Sequence, residues 1–424
     1  IDSLRLDHTA FAAHPASARE LTPNLARLAA RGTVFQNAIA QAPWTMPSFA
    51  SVFTGKYPHE HGAVSAKGFL REREMTLAEV LREAGYATAG IVSHDYVNGS
   101  HGFAQGCEEF DAECVRGESA ITSSGVSDRA IERLKRKDER PFFLFLHYFD
   151  PHYEYRDHEE SKFADGYDGW LRSELNIENV RLKQHWLGAA EKQWLVDLYD
   201  EEIVHTDRQI GRVLDQLEQS GLAEDTLIVF VVDHGEEFFE HGWIGHCITM
   251  CEEVLHVPLV IALPGKSGVA RKVAGVVETR SVFSTVLDAV GCAWGEASRP
   301  ESLLSLLKDE SATAPADALG KLAFSSVWTP DSKPAIGQQA RMFSVRSAKW
   351  KLIWDQTRST QSLFDLEHDP GEQREVSAEH PAEFTALKAA LEPWVERMQA
   401  SLGRVQYIKL DPAERARLEA LGYL

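Results

Sequence analysis

The feature of this 424-residue sequence that most constrains its fold is a series of apolar runs without polar alternation, separated by amphipathic stretches. Strands that are apolar on both faces are typical of a mostly parallel sheet that helices cover on both sides. We therefore expect an α/β fold with a large mixed, mostly parallel sheet sandwiched by helices. The predicted strands lie within GYATAGIVS, PFFLFLHYF, TLIVFVV and VLHVPLVIALPG.

A second, smaller unit is predicted towards the C-terminus. The stretch KDESATAPADALGK has the composition of a linker, and the sequence after it predicts short strands followed by a helix. We expect a catalytic domain at 1–315, a small α+β subdomain at 322–396 and a helical tail at 397–424. The tail is predicted to dock on the body or on a second subunit, so a homo-oligomer formed through it is one expectation.

The net charge of the chain limits which kinds of partner it can bind. With 64 acidic and 44 basic side chains the chain has a formal net charge of −20, which repels nucleic acid and anionic membrane surfaces. A small anionic substrate would therefore need a metal ion or a compact basic pocket. No apolar run approaches the ~20 residues of a membrane span.

The cysteines bear on the compartment. Their odd number and scattered spacing do not make a disulfide framework. Together with the abrupt start at Ile1-Asp2, the unpaired thiols slightly favour a cytoplasmic location over a periplasmic or secreted one.

Polar residues directly after the predicted strands are the candidates for a site. In α/β sheets, ligands bind beyond the carboxyl ends of the strands. Asp233 and His234 follow TLIVFVV, and Asp2 occupies a matching place if a strand precedes it. An isolated Asp-His pair would equally suit a helix cap and a solvated imidazole, but further acidic and imidazole side chains follow within a dozen positions. These are Glu236, Glu237, Glu240, His241 and His246.

Thr45 stands between Trp44 and Met46-Pro47, at the start of a helix-like run. One interpretation is a helix N-cap, for which threonine and a following proline are common. The other is a nucleophile at the positive end of a helix, where an anion would also bind. The local window alone favours the cap.

Taken together, Asp2, Thr45, Asp233 and His234 resemble the metal ligands and nucleophile of the alkaline phosphatase superfamily, in particular its sulfatase branch. The resemblance covers nearly the whole chain and implies an alkaline phosphatase-like fold. It also implies that these four residues bind a divalent cation (manganese, zinc, magnesium or calcium), and that Thr45 forms a covalent ester that water cleaves. The matching segments include IDSLRLDH, QAPWTMPSFASVFTGKYPHEHG, DTLIVFVVDHGEEFFEHGWIGH and LFDLEHDPGE.

Several residues differ from the sulfatase pattern, and these differences bear on which ester the protein hydrolyses. The C-x-P-S-R frame of sulfatases reads Thr45 to Phe49 here, and threonine cannot become formylglycine. His246 stands where sulfatases often place a lysine, and the family's Asp-Asn pair is Asp233-His234. These changes favour a hydrolase of phosphate mono- or diesters, with a sulfate ester hydrolase as the alternative. A phosphoalcohol transferase and a non-catalytic binding protein are less favoured.

Further candidates follow by position. His152 matches the family histidine that contacts the ester, although a structural role in a turn is equally expected. His246 and His94 are expected to contact the anion or to act as a general acid. On the long amphipathic helix, His205 and Asp207 suit a structural role better than a second metal ion. Cys247 and Cys251 beside His246 lack a partner pair, so the sequence does not favour zinc there.

Overall fold

The computed structural model describes residues 1–13, 15–115, 122–158, 161–172, 177–265, 270–295, 300–308, 321–328, 340–402 and 412–420. The strands are β1 (Thr33–Ile39), β2 (Ala87–Ile91), β3 (Glu109–Asp111), β4 (Phe142–Leu146), β5 (Ile228–Val231), β6 (Glu237–Phe238), β7 (Ile244–Gly245), β8 (His256–Val257), β9 (Leu259–Ala262), β10 (Arg271–Glu278), β11 (Ala323–Trp328), β12 (Arg341–Arg346), β13 (Trp350–Asp355) and β14 (Thr360–Asp365). The α-helices are α1 (Pro23–Ala30), α2 (Thr45–Thr54), α3 (Pro58–His61), α4 (Leu77–Glu83), α5 (Ser123–Lys135), α6 (Ile177–Lys183), α7 (Ala189–Gln219), α8 (Glu252–Leu255), α9 (Ser281–Ala289), α10 (Leu304–Lys308), α11 (Pro381–Leu402) and α12 (Pro412–Ala420). Short 3₁₀ helices span Leu6–His8, Asp95–Val97, Gly99–His101 and Gln184–Trp186.

The main body confirms the predicted mixed α/β fold, but its described strands other than β6 and β7 form two sheets instead of one, and antiparallel pairs are as frequent in them as parallel ones. One sheet has the order β10-β1-β9-β5 with β8 paired to β1, and a second has the order β3-β2-β4. β1 is parallel to β10, and β2 is parallel to both β3 and β4. β9 runs antiparallel to β1 and β5, and β8 runs antiparallel to β1.

The first two residues bridge these two sheets. The Ile1 nitrogen donates to the Val231 carbonyl at 3.2 Å, and the Ile1 carbonyl accepts from the Asp233 amide at 3.4 Å. The Asp2 amide donates to the Tyr148 carbonyl at 2.9 Å. Asp2 therefore lies between the carboxyl ends of β5 and β4, which is the place where the sequence predicts the site.

Neighbouring residues of the central strands face two different cores, which explains why apolar residues occupy successive positions in them. In β1, Val34 belongs to one buried cluster and Phe35 to another, and in β9 the same holds for Val260 and Ile261. Because successive side chains of a strand point to opposite faces, a sheet covered on both sides needs apolar residues at every position. Helices α5 and α7 contribute to the first cluster and α9 to the second.

The C-terminal unit is a four-stranded antiparallel sheet, β11-β12-β13-β14, covered by α11. Its β11 joins the main body through the Ser326 amide, which donates to the Gln41 carbonyl at 3.0 Å. Helix α12 lies against the body, since Glu414 is 3.5 Å from His101 and Leu418 is fully buried.

Several expectations for this part of the chain stay predictions. Residues 309–320 of the predicted linker lie outside the described residues, as do parts of the tail, and the domain boundaries and the homo-oligomer are not tested here. Within the described part of the chain, no helix combines the length and hydrophobicity that crossing a membrane requires.

Candidate functional site

Helix α2 presents the Thr45 hydroxyl to the site. The N-cap is Trp44, in an extended conformation, and Thr45 is the first helical residue, so the helix-cap interpretation of Thr45 is wrong. Its Oγ1 lies 3.4 Å from Asp2 Oδ2 and 3.3 Å from His234 Nε2. The Ser48 hydroxyl donates to the Asp233 carbonyl at 2.7 Å, which fixes the first turn of α2 to the end of β5.

Two buried carboxylates, Asp2 and Asp233, lie beside His234 at the end of this helix. Asp233 Oδ1 accepts from the amides of Ser3 and His234 at 3.3 and 2.9 Å, whereas Asp233 Oδ2 is buried without a hydrogen-bond partner among the described residues. Burial, together with the charge of Asp2, raises the pKa of Asp233 well above its ordinary value. Burial acts on Asp2 in the same direction, but the hydrogen bond from His147 and the surrounding imidazoles lower the pKa of Asp2 overall. The pair therefore places two acidic groups close together in a fully buried position.

The tautomer of His234 follows from its contacts. Its Nδ1 lies 2.9 Å from the Gly235 carbonyl, which can only accept, so the proton is on Nδ1. Nε2 then carries a lone pair and lies 3.5 Å from both Asp2 Oδ1 and Asp233 Oδ2. Burial lowers the pKa of His234, so the neutral ring is the stable form.

The three other predicted histidines form a wall beside this centre. The His246 ring lies 4.2 Å from that of His234 and 4.9 Å from that of His152. His94 stacks on Phe149 at 4.6 Å, with its ring 5.7 Å from His152. Burial lowers the pKa of each, to about 4 for His152. The structure thus brings all seven predicted site residues together.

Three further residues belong to the site: His147 and Arg181, which were not predicted from the sequence, and Glu236, which was noted there only as one of a cluster. His147 lies directly after β4, and its Nε2 is 3.5 Å from Asp2 Oδ2. Glu236 Oε1 is 3.0 Å from His246 Nδ1. Arg181 is buried, its guanidinium lies over the Tyr153 ring at 5.4 Å, and its charge contributes to lowering the pKa of His152 and His246. The position of His147 at a strand end is a signal that was present in the sequence.

Two other buried acidic residues, Asp207 and Asp150, have structural roles. Asp207 accepts from the Asn24 and Leu25 amides at 2.9 Å each, so it caps the start of α1. Its neighbour His205 stacks on His158 at 4.5 Å. Asp150, after β4, accepts from the backbone at the start of α5.

The donor atoms fit a divalent cation. Oxygen ligands from carboxylates, a neutral imidazole nitrogen and a hydroxyl are a set that divalent ions accept. Ligand atoms of Asp2, His147 and Asp233 all lie within 4.8 Å of one another. The orphaned Asp233 oxygen is the observation that most directly requires a positive partner, because a buried carboxylate oxygen without one is costly.

Comparisons with known proteins show the family to which the chain belongs. The sequence profile of the family described as Sulfatase matches residues 1–292, and that of N-sulphoglucosamine sulphohydrolase, C-terminal, matches residues 239–401. The chain is 24% identical to an N-acetylglucosamine-6-O-sulfatase of Bacteroides thetaiotaomicron, over 93% of this chain and 84% of that protein.

Two solved structures share the fold. One, a complex with its substrate D-glucosamine-2-N,6-O-disulfate, has a TM-score of 0.77 at 21% identity and covers 95% of this chain and 96% of its own. The other, the phosphonate monoester hydrolase of Agrobacterium radiobacter, has a TM-score of 0.74 at 20% identity and covers 97% of each chain.

Proposed function

The chain belongs to the sulfatase family of ester hydrolases, and from this premise we propose that it hydrolyses a sulfate monoester with Thr45 as the nucleophile. The observation that carries the proposal is the Thr45 hydroxyl, which is buried at the start of α2 between Asp2 and His234. Asp2, Asp233, His234 and Thr45 would hold a divalent cation. When bound, such an ion polarises the non-bridging oxygens of the ester and lowers the pKa of the attacking hydroxyl.

The residues of the chain supply the remaining steps. Asp2 Oδ2, 3.4 Å from Thr45 Oγ1, is placed to accept the hydroxyl proton. As the bond from Thr45 Oγ1 to sulfur forms, the bond from sulfur to the leaving alcohol breaks, and the alcohol takes up a proton. Water then cleaves the Thr45 ester, releasing sulfate and restoring the hydroxyl.

Glu236 and His246 form the proposed source of the proton for the leaving alcohol. Burial raises the pKa of Glu236 well above its ordinary value, which favours the protonated carboxyl. A protonated Glu236 donates to His246 Nδ1 at 3.0 Å and leaves the ring proton on Nε2. His246 can then give up the Nε2 proton while it receives the Glu236 proton on Nδ1.

The charges around Thr45 favour a singly charged ester. The two carboxylates, Asp2 and Asp233, would be balanced by a divalent cation, and Arg181 adds one positive charge near His152 and His246. A sulfate monoester carries one negative charge, whereas a phosphate monoester carries about two at neutral pH. We therefore infer that phosphate monoesters are the poorer substrates.

A phosphorus ester with one charge is the second candidate. The sequence ranked phosphate esters above sulfate esters, because Thr45 and His234 replace the cysteine and asparagine of sulfatases. The relatives favour the sulfate ester instead, while the shared fold of the phosphonate monoester hydrolase supports the singly charged phosphorus ester. Parallel assays on aryl sulfate, sulfated glucosamine, aryl phosphonate, aryl phosphodiester and aryl phosphate separate these readings. If aryl phosphate is the best substrate, the charge argument fails.

Replacing the nucleophile tests the covalent mechanism. Thr45→Ala is expected to lower kcat by at least about 10³-fold, because nothing else in the site can form the ester intermediate. The matched control is Thr54→Ala at the other end of α2, where the hydroxyl donates to the Ala50 carbonyl at 2.7 Å. Both variants should melt within a few degrees of the wild type, and only the first should lose turnover. Normal turnover by Thr45→Ala would refute covalent catalysis at this position.

A further inference from the structure

A second cluster of metal-ligating side chains lies where the main body meets the C-terminal unit. It comprises His241 after β6, Cys251 and Glu253 at the start of α8, and Glu372 after β14. One donor atom from each, a nitrogen, a sulfur and two carboxylate oxygens, lies within 4.8 Å of all the others. His241 Nε2 is 3.2 Å from Glu253 Oε2. None of these residues belongs to the site around Thr45.

The charges of the described residues around this cluster do not balance. Its carboxylates, with the adjoining Glu252 and Glu237, are four in number, and two cationic side chains are paired with them. Arg346 and Lys351 both bind Glu252 at 3.0 Å, and Lys351 also lies 3.0 Å from Glu372 Oε1. Glu237 and Glu253 have no lysine or arginine in an ion pair within the described part of the chain. Glu253 instead pairs with His241 at 3.2 Å, so lysine and arginine alone do not balance these carboxylates.

An orphaned oxygen provides an independent sign of a missing partner. Glu237 is fully buried, and its Oε1 accepts from the His241 amide at 3.3 Å. Its Oε2 has no hydrogen-bond partner among the described residues. A buried carboxylate oxygen left in this way costs free energy unless a positive charge lies close by.

We propose that His241, Cys251, Glu253 and Glu372 bind a divalent cation of the zinc type, at a site distinct from the one around Thr45. Imidazole nitrogen, thiolate sulfur and carboxylate oxygen are the ligands of tetrahedral zinc, and softer first-row ions share this preference. Magnesium and calcium, which prefer oxygen ligands, are the poorer match. Because Glu372 comes from the C-terminal unit and the other three from the body, the ion joins these parts of the molecule.

Binding of a cation by these residues would be coupled to proton release. Burial, and then the charges of Glu372 and Glu237, raise the pKa of Cys251 well above its ordinary value. Burial also raises the pKa of Glu372 to about 7, and the hydrogen bond to Glu253 raises the pKa of His241. A bound cation would deprotonate the thiol and the carboxyl and release their protons.

This assignment differs from the zinc site that the sequence did not favour. That hypothesis grouped Cys251 with Cys247 and His246, and the ligand atoms described here do not include either of those two residues. The sequence cannot reveal the grouping, because Glu372 reaches Cys251 only through the packing of the C-terminal unit against α8, where Glu372 Oε2 accepts from the Glu252 amide at 2.6 Å.

Cobalt(II) titration of the full-length protein tests the proposal, because it detects whether the Cys251 thiolate binds the ion. Cobalt takes the place of zinc and gives a sulfur-to-cobalt charge-transfer absorption only if a cysteine is a ligand. We expect the absorption in the wild type and in Asp233→Asn, loss of it in Cys251→Ser, and retention in the matched control Cys247→Ser. Glu372→Gln should weaken cobalt binding by about 10-fold or more, as the loss of one ligand or its support does.

Two results would overturn the proposal. One is the absence of the absorption in folded wild-type protein at saturating cobalt. The other is its loss in Cys247→Ser with retention in Cys251→Ser. The wild-type measurement needs no variant, so it stands even if Cys251→Ser does not fold. Loss of the absorption in Asp233→Asn would also contradict the inference, because it would place the thiolate-bound ion in the first site.

Discussion

At the scale of single residues, the chemistry depends on which nitrogen of each imidazole carries its proton. The Gly235 carbonyl fixes the proton of His234 on Nδ1 and turns a lone pair towards Thr45. Glu236 acts on His246 in the opposite sense, since a protonated carboxyl donates to Nδ1. The two neighbouring histidines therefore have different tasks: His234 is suited to bind a cation, and His246 is suited to donate a proton.

Glu236→Gln tests the proposed proton source. The amide keeps a hydrogen-bond donor next to His246 Nδ1 but cannot transfer a proton, so general acid catalysis is lost while the ring stays in place. We expect kcat for an alkyl ester to fall by about 10²–10⁴-fold, and kcat for an ester with an acidic phenol to change much less. The pair of substrates is the internal control. Equal losses for both esters would show that Glu236 does not supply the proton.

The sequence could predict the residues that occupy strand ends but not those that other elements bring to the site by packing. Asp233 and His234 were predicted because they follow a strand, and Asp2 was expected at a matching place if a strand preceded it. His147 has the same kind of position after β4 and was detectable. Arg181 was not, because its segment carries no strand or motif, and it reaches the site by packing against Trp243 and Tyr153.

At the scale of elements, helix α2 and the strand ends act as one rigid support. The Ser48 hydroxyl ties the first turn of α2 to Asp233, and the Gly55 C-cap, at φ +70°, ends the helix in a left-handed conformation. The apolar periodicity predicted β2, β4, β5 and β9 as buried strands. It could not give the antiparallel direction of β9, because a strand buried on both faces has the same pattern in either direction.

Asp207→Ala tests the assignment of α7 as a structural support rather than a metal-bearing helix. Asp207 receives the Asn24 and Leu25 amides at the start of α1, and losing a buried charged acceptor of this kind costs about 2–3 kcal/mol. Denaturant unfolding measures the loss. The matched control, Asp215→Ala, removes a half-exposed pair with Arg27 from the same helix and should cost less than about 1 kcal/mol.

The outcome for metal content distinguishes the two interpretations of Asp207. If Asp207 is only a helix cap, replacing it leaves the metal content and kcat of the folded protein unchanged. A proportional loss of bound divalent ion by Asp207→Ala, but not by Asp215→Ala, would restore the hypothesis of a metal site on α7.

At the scale of the whole molecule, the C-terminal unit is attached to the main body by buried charged side chains as well as by a backbone hydrogen bond. Arg346 of β12 donates to Glu252 of α8 and, at 2.8 Å, to Asn37 of β1. The guanidinium is almost completely buried. A buried cation between two parts of a chain resists separation, because each carboxylate it leaves behind would be unpaired.

Arg346→Met is expected to lower the free energy of unfolding by about 3–5 kcal/mol, since Glu252 loses one of its two cationic partners in a buried place. The matched control is Lys349→Met, which removes an exposed pair with Glu367 from the same unit and should cost less than about 1 kcal/mol. Chemical denaturation of the two variants checks the difference. Similar small losses for both would show that the buried pair does not hold the unit in place.

The most direct test of the central claim is a crystal structure of the protein soaked in manganese, with the ion located by its anomalous scattering. The account predicts an ion about 2.0–2.6 Å from Asp2, Asp233, His234 Nε2 and the Thr45 hydroxyl. A fully occupied ion elsewhere, with the space between these four residues empty and the Thr45 hydroxyl turned away from the carboxylates, would contradict it.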